Sequence, residues 1–295
     1  MTKIGVTLPQ FTDDAGRFTS GVERAERLGF ESLWLFDHLW PLGGKRERPI
    51  LECWTALAYV AEATTRAEVG TLVTRSSLRH PAVLAKMAAT VGAISPGRLT
   101  IAVGSGDHLN KEENTAFGAP FYDDVERIGQ LVSTVETVAR FLKMERITLH
   151  DRFVDIEGLP TSPRTTPPAK VWVGGRSTEA LEVAGRVADG WNGWGANLDA
   201  FADDAQKVQA IAGTRPFEIS WAGQVILGSS DAAARAELGD RDPSQYVVGG
   251  PETVRGSLAR AITAGASHLI VAVPNAGTEG EFERLAEAVE PLRGA

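Results

Sequence analysis

The sequence predicts an α/β fold, a (β/α)8 TIM barrel with insertions, and three observations lead to this prediction. Eight short apolar runs, each of the length of a buried strand, occur along the 295 residues. Segments with helical periodicity separate nearly all of them, and eight such alternations close naturally into a barrel. The runner-up, a doubly wound open sheet, is weakened because no G-x-G-x-x-G motif follows the first strand. The predicted strands lie near residues 4, 32, 69, 99, 171, 190, 218 and 269.

The length fits either two domains of about 150 residues or one barrel of about 250 residues with insertions. Because the alternation of strand and helix runs through the whole chain, we predict one barrel domain over residues 1–295.

The first two predicted strands bring an acid and an imidazole to one edge of the sheet. Residues 4–8 form the first strand, and an amphipathic helix closed by Gly29 follows it. Residues 32–36 form the second strand, which ends directly on Asp37 and His38. In a parallel sheet, this pair lies at the mouth of the barrel, where loops carry chemistry without disturbing the core.

The next unit places two polar loops side by side. Residues 69–73 and 99–103 are apolar strands, and Pro81–Ile94 is an amphipathic helix between them, with proline at a first helical position. A strand, helix and strand of this length form a parallel pair. The loops 74–80 and 104–110 therefore leave the sheet at the same edge.

The later chain continues the alternation with one interruption. Residues 146–157 alternate about a central Asp-Arg pair, which predicts an inserted β-hairpin. The remaining predicted elements are helices at 123–143, 178–187, 201–211, 231–238, 251–264 and 281–292, and strands at 170–173, 189–194, 217–227 and 268–273.

The composition of the chain argues against several classes of partner and site. A net charge of -8 and a pI near 5.3 lack the basic footprint that nucleic acids need, so we expect no nucleic-acid partner. The single cysteine, Cys53, excludes an internal disulfide and a multi-thiolate metal site. No signal-peptide pattern precedes the first strand and no apolar run reaches membrane-spanning length, so we expect a cytoplasmic protein without a membrane partner.

Asp37 and His38 allow three interpretations: a catalytic pair, a fragment of a metal site, or an ordinary loop. A metal is disfavoured, because no His-x-His motif occurs and the other histidines lie on scattered elements. His38 suits proton transfer near pH 7. Asp107, after Gly-Ser-Gly, is either an acid or base, if it is partly buried, or a solvated loop carboxylate.

Gly174, Gly175, Arg176 and Ser177 follow a strand and open a helix. Backbone N–H groups at such a position, together with the helix dipole and the Arg176 guanidinium, favour an anion site. The alternative is that the glycines only turn the chain and Arg176 is solvated.

These residues resemble the bacterial luciferase-like monooxygenase superfamily, particularly its branch that depends on the deazaflavin coenzyme F420. The matching segments run in family order through most of the chain: IGVTLPQF, AERLGFESLWLFDH, VGTLVTRSSLRHPAVLAKMAATVGAISPGRLTIAVGSGD, VWVGGRSTEALEVAGRVADGWN and GGPETVRGSLARAITAGASHLIVAV. The resemblance implies the same barrel.

The resemblance also implies a cofactor site. In the family, the Asp-His pair lies at the redox ring, a strand bulge with a non-proline cis peptide lies behind it, and a Gly-Gly turn holds the tail phosphate. Here the bulge falls at about Thr71-Leu72. Carried over in this way, the catalytic residues are His38 and Asp107, and the residues that bind the cofactor are Asp37, Thr71, Leu72, Thr74, Ser105, Gly106, Asn110, Gly174, Gly175, Arg176 and Ser177.

Three departures from the branch's glucose-6-phosphate dehydrogenases argue against a sugar phosphate as the substrate. Those enzymes have Glu where Asp107 stands and Trp where Leu42 stands. Their substrate-phosphate lysines have no counterpart within residues 192–200.

The resulting hypothesis is an F420-dependent oxidoreductase that transfers a hydride between the cofactor and a small organic substrate, in a homodimer, which is usual for the family. The alternatives are an FMN-dependent monooxygenase on the same fold, and a cofactor-binding protein without catalysis.

Overall fold

The computed structural model describes residues 2–41, 46–274 and 280–293, and Leu42 lies outside them. Strands are β1 (Lys3–Thr7), β2 (Ser32–Leu35), β3 (Glu68–Arg75), β4 (Leu99–Gly104), β5 (Arg146–His150), β6 (Asp155–Pro160), β7 (Lys170–Gly174), β8 (Gly190–Trp194), β9 (Glu218–Leu227), β10 (Tyr246–Gly249) and β11 (His268–Ala272). Helices are α1 (Ala15–Arg27), α2 (Cys53–Ala63), α3 (Pro81–Ile94), α4 (Lys111–Ala116), α5 (Asp124–Lys143), α6 (Thr178–Val187), α7 (Leu198–Ala212), α8 (Asp231–Leu238), α9 (Pro251–Thr263) and α10 (Glu281–Val289).

Eight parallel strands close into a barrel, which confirms the predicted fold. Their order around the barrel is β1, β2, β3, β4, β7, β8, β9 and β11, and β11 returns to β1. These are the eight strands that the sequence predicts. Their carboxyl ends share one rim, so the loops after them meet there. Among the described residues, no helix has the length and apolar character needed to cross a membrane.

Two additions interrupt the eight-fold pattern. The predicted hairpin is present as antiparallel β5 and β6. Strand β10 is not predicted by the sequence, and it pairs in parallel with the last four residues of β9, the first of which, Gln224, also pairs with β11. The loop between α8 and α9 is thereby held against the rim.

A stacked aromatic pair fills the barrel beneath the rim. The rings of Trp34 and Trp172 lie 5.4 Å apart at 23°, and His268 packs edge-on against both. Ser32 Oγ accepts a hydrogen bond from Trp34 Nε1 and lies 2.6 Å from His268 Nε2. All four side chains are buried, so this layer is a floor for the rim and offers no site of its own.

Strand β3 carries the predicted bulge. Its register against β4 shifts between Thr71 and Thr74. The non-proline cis peptide lies at Leu72-Val73, one residue later than the sequence comparison placed it. The shift turns Leu72 and Val73 toward the mouth of the barrel, where both contribute to the cleft.

Candidate active site

One large cleft, with a volume of about 1330 Å³, opens at the carboxyl rim of the barrel. Its size exceeds that of an ordinary small-molecule pocket, which is about 300 to 1,000 Å³. The lining residues at the ends of β3, β4 and β7 and in the loops after β2, β4 and β7 include His38, Leu72, Val73, Arg75, Gly104, Ser105, Gly106, Asp107, Asn110, Gly174, Gly175, Arg176 and Ser177.

His38 is held by a carboxylate that the sequence does not point to. Its Nδ1 lies 3.3 Å from Glu113 Oε2. The other oxygen of Glu113 accepts hydrogen bonds from the backbone N–H groups of Leu39 and Trp40. A carboxylate on Nδ1 fixes the proton on that nitrogen and leaves Nε2 able to accept a proton. Within the described residues, Nε2 has no hydrogen-bond partner.

Glu113 is fully buried, and it is charged. Arg75 Nη2 lies 2.9 Å from Glu113 Oε1, and both side chains are buried. Burial alone raises the pKa of Glu113, but the hydrogen bonds from His38 and Leu39 and the charge of Arg75 hold that pKa below its ordinary value of 4.5. The carboxylate therefore remains ionised at neutral pH and faces His38 as an anion.

Asp37 lies behind the cleft wall. Its side chain is buried and accepts two hydrogen bonds from Arg79, at 2.7 and 3.0 Å, and one from the backbone N–H of Arg75. Arg75 Nε in turn donates to the carbonyl oxygen of Asp37. These hydrogen bonds hold the loop after β2 against the end of β3 and the loop that follows it. Asp37 thus supports the position of His38 from below.

The loop after β4 is shaped by its own polar side chains. Asn110 Oδ1 accepts a hydrogen bond from the backbone N–H of Asp107, and the Asp107 carboxylate accepts one from the backbone N–H of Leu109. Gly106 has a positive φ of 70°, which a side chain would strain. Asp107 is exposed, whereas the predicted acid or base role depended on partial burial.

The turn after β7 has the form that an anion site requires. Helix α6 begins at Thr178, and its cap is Ser177, whose hydroxyl accepts from the backbone N–H of Ala180. The first N–H groups of a helix lack intrahelical partners and attract anions. Trp191 Nε1 donates to the carbonyl oxygen of Gly175 and braces the turn. Arg176 is partly engaged, because its Nε donates to Asp204 at 2.7 Å.

Glycines at two strand ends make room for Val73. A Cβ at Gly104 would lie 2.6 Å from Val73 Cγ2, and a Cβ at Gly174 would lie 2.6 Å from Val73 Cγ1. The bulge of β3 therefore presents an apolar wall to the cleft only because both neighbouring strands end in glycine.

The family model for luciferase-like monooxygenases matches residues 2–291. This chain belongs to the luciferase-like monooxygenase family.

Relatives within this luciferase-like family include enzymes named for coenzyme F420. The chain is 31% identical over 180 residues to an F420-dependent glucose-6-phosphate dehydrogenase of Kineococcus radiotolerans, a match that covers 60% of this chain and 51% of that enzyme. It is 27% identical over 242 residues to an F420-dependent hydroxymycolic acid dehydrogenase of Mycobacterium tuberculosis, covering 79% of this chain and 65% of the other. The chain thus spans about half the length of the glucose-6-phosphate dehydrogenases that it matches.

Among solved structures, an F420-dependent secondary alcohol dehydrogenase in complex with an F420-acetone adduct superposes with a TM-score of 0.85 at 18% identity, over 99% of both chains. At this identity, the likeness establishes the shared barrel of the luciferase-like family and no more.

The predicted site residues divide into two groups in this luciferase-like barrel. One group borders the cleft: His38, Leu72, Ser105, Gly106, Asp107, Asn110, Gly174, Gly175, Arg176 and Ser177. The other lies behind its wall: Asp37, Thr71 and Thr74. Thr71 Oγ1 donates to the carbonyl oxygen of Ala102, and Thr74 Oγ1 accepts from Trp54 Nε1, so both fix the strand beneath the bulge. No group of three metal-ligating side chains occurs among the described residues.

Sequence reasoning missed Glu113, Arg75, Arg79 and Asn114. Asn114 is buried, accepts from Arg75 Nη1 at 2.9 Å and donates to Ser77 Oγ at 2.8 Å. One sequence feature could have identified Glu113 and Asn114. They follow Asn110 by three and four residues, so the three side chains lie on one face of a helix.

Proposed function

We propose that this chain is an oxidoreductase that binds coenzyme F420 and transfers a hydride between its deazaflavin ring and a small organic substrate. The observation that carries the proposal is that His38, the Leu72-Val73 wall and the Gly174–Ser177 turn border one cleft. The names of the relatives support the choice of cofactor.

The cleft fits a flat ring with an anionic tail. Val73, seated between Gly104 and Gly174, offers an apolar surface for one face of a ring. The backbone N–H groups of Arg176 and Ser177, at the start of α6, are donors for a phosphate, whereas that of Gly175 donates to the carbonyl oxygen of Asn192. In this proposal Leu72, Ser105, Gly106 and Asn110 contact the cofactor, and Asp37, Thr71 and Thr74 support it from behind. Asp107 is exposed but borders the cleft, and it stays the proposed acid or base on that position alone.

The bound deazaflavin would supply the carbon that gives or takes the hydride. His38 supplies the proton transfer that accompanies it. With Nδ1–H directed to Glu113, Nε2 accepts a proton from a substrate hydroxyl as it is oxidised, or returns one to a carbonyl oxygen as it is reduced. The buried anion stabilises the doubly protonated ring between these events. His38 and Glu113 therefore form a reversible proton store at the rim.

The test is a paired titration of the purified protein with F420 and with FMN, followed by a substrate screen on both redox forms of the bound cofactor. We expect F420 to bind at least about tenfold more tightly than FMN. His38→Ala should lower turnover far more than cofactor affinity, and an equal loss of both would contradict the proton-transfer role. Binding of F420 without turnover on any acceptor would leave a cofactor-binding protein in place of an enzyme.

A second candidate is an FMN-dependent monooxygenase, which the description of the matching family favours. Tighter binding of FMN than of F420, together with oxygen consumption, would establish it instead.

The sugar phosphate of the glucose-6-phosphate dehydrogenases is not part of the proposal. Residues 192–200 contain no lysine to receive its phosphate. The chain also spans only about half of those enzymes.

We further propose a homodimer located in the cytoplasm. The dimer is the usual assembly of the family, and light scattering on the purified protein tests it. The single buried cysteine is consistent with a reducing compartment, and fractionation of the source cells tests the location.

A further inference from the structure

The half of the cleft opposite the proposed cofactor site differs in charge from the cofactor half. Its lining comes from the ends of β1, β2, β8, β9 and β11 and from the segments around residue 48 and β10. No described Asp or Glu lines this half, whereas Asp107, Asp124 and Glu179 line the other. The lack of carboxylates in this half favours an anionic ligand there, although the chain as a whole carries a net charge of -8.

An aromatic wall borders this half. The ring of Phe36 lies 6.0 Å from that of Phe11 and 5.7 Å from that of Trp194, which it meets edge-on. Trp194 is 37% exposed, although the indoles of Trp34, Trp172, Trp191 and Trp221 are fully buried. An exposed aromatic surface inside a concave site is typical of a pocket for a flat apolar ligand.

The wall is rigid where it meets the cleft. Gln10 is fully buried, and its side chain donates to the carbonyl oxygen of Phe36 at 2.8 Å and accepts from the N–H of Phe36 at 2.9 Å. The same amide nitrogen donates to the carbonyl oxygen of Leu51. The backbone of Phe36 is therefore held in place before any ligand arrives, which lowers the entropic cost of ordering this part of the wall on binding.

Two arginines that line the same half of the cleft stand over aromatic rings. The Cζ atom of Arg48 lies 5.2 Å from the centre of the Phe11 ring, and that of Arg241 lies 6.0 Å from the centre of the Tyr246 ring. Within the described part of the chain, neither forms an ion pair with a carboxylate. With no carboxylate paired to them, the guanidinium N–H groups of these two arginines are available for an anion.

We propose that this half of the cleft binds a substrate with a flat apolar body and an anionic group, specifically a carboxylate. The aromatic wall receives the body, and Arg48 and Arg241 receive the carboxylate. The inference rests on the proposed function only in assigning the other half of the cleft to the cofactor. A carboxylate carried by the cofactor's own tail is the competing source of the anion, and the experiment separates the two.

The test uses 2-naphthoate and its neutral counterpart 2-naphthalenemethanol as probes. Each is titrated into the protein with and without bound F420, with calorimetry as the readout. We expect 2-naphthoate to bind about tenfold more tightly than the alcohol, since one charge-assisted hydrogen-bonded pair has roughly this effect. Arg48→Gln with Arg241→Gln should reduce the preference to within about twofold. The exposed Arg186→Gln on α6 is the matched control and should retain the full preference.

Trp194 tests the apolar part independently. Trp194→Ala should weaken both probes to a similar degree, about fivefold to tenfold, and leave the preference for the carboxylate intact. Trp194→Phe should restore most of the affinity, because the edge-on contact with Phe36 is retained.

Two outcomes overturn the inference. One is equal affinity for the two probes while F420 still binds. The other is a loss of F420 affinity in the arginine double variant, with naphthoate binding unchanged, because the arginines would then serve the tail. Failure of F420 to bind, with the naphthoate preference intact, overturns the proposed function alone and supports the anion site.

Discussion

Replacing Glu113 by glutamine tests the central feature of the site. Glu113 accepts from His38, Leu39 and Trp40 and pairs with Arg75, and all of its oxygens are buried. Glutamine keeps the shape of the side chain but removes the charge. It also puts an amide NH2 group where an acceptor is needed, so at least one buried donor loses its partner.

The size of the effect follows from the burial of Arg75. Removing one partner of a buried ion pair typically destabilises a protein by about 3 to 5 kcal/mol. Glutamine retains one acceptor oxygen, so we expect the lower end, about 3 kcal/mol. A loss of 1 kcal/mol lowers the Tm of a chain of this size by about 2 to 4 °C, so Glu113→Gln should lower Tm by roughly 6 to 12 °C.

Thermal unfolding measures this effect, with Glu112→Gln as the matched control. Glu112 is the preceding residue, is mostly exposed, and pairs with the exposed Arg46. Its replacement should change the free energy of unfolding by less than about 1 kcal/mol. Equal Tm values for the two variants would refute the assignment of a buried anion at Glu113.

The pH dependence gives a second readout for Glu113. Its pKa in the folded protein is lowered from 4.5, so its contribution to stability is fully present above that value and is lost as the pH falls through the folded-state pKa. The Tm difference between wild type and Glu113→Gln should therefore be full at pH 7 and shrink below about pH 4.5.

Three further predictions concern the wall, the floor and the cysteine. Gly174→Ala should weaken F420 binding by more than about tenfold, because its Cβ displaces Val73, and the overpacking should also destabilise the fold by about 1 to 3 kcal/mol. Titration of the folded variant checks the affinity, and unchanged affinity would place the ring elsewhere. Burial, with the charges of Lys3 and Lys170, lowers the pKa of His268 from 6.5 to about 3. Between pH 6.5 and pH 3 the unfolded chain therefore binds one more proton than the folded chain. The free energy of unfolding should fall by about 1.4 kcal/mol for each pH unit below 6.5. Denaturant titrations at pH 6.5 and 5 measure this slope, and His268→Gln should remove it. Burial and the charge of Asp37 raise the pKa of the Cys53 thiol, so a thiol reagent at pH 8 should label it only after unfolding, and rapid labelling of the native protein would contradict its buried position.

Local signals were sufficient for most of the fold. Helix α3 has the predicted bounds because Pro81 starts it and Ser-Pro-Gly stops it, and neither signal depends on the rest of the chain. Strand β10 was not predicted, because it has only four residues and ends at Gly249-Gly250. The two glycines indicate a loop, and the segment was interpreted as one. Short strands are defined by their partner, here the far end of β9, which sequence periodicity does not reveal.

The site was only partly predictable, because some of its residues are buried by partners that are distant in the chain. The loops after β2, β4 and β7 follow from where the strands end, so the residues that border the cleft were within reach of the sequence. Glu113 was not, because it lies in the polar segment HLNKEEN and that pattern is typical of a solvated helix. Its burial depends on Arg75 and His38, which lie 38 and 75 residues away in the chain.

The buried ion pairs behind the cleft are better explained by the orientation that they give to His38 than by a contribution to the stability of the fold. Desolvation of both partners offsets most of the attraction in a buried ion pair, and apolar replacements of similar volume are often no less stable. The pairs Asp37 with Arg79 and Glu113 with Arg75 nevertheless join the loops after β2 and β3 to helix α4. The two hydrogen bonds from Arg79 to Asp37 are directional, and the Arg75–Glu113 contact adds an ionic attraction, whereas packed methyl groups supply neither. An apolar cluster in their place would hold the loops together and leave the imidazole of His38 free to rotate. The proposed proton transfer requires one nitrogen of His38 to face the substrate, and the ionic network supplies this orientation, which an apolar core would not.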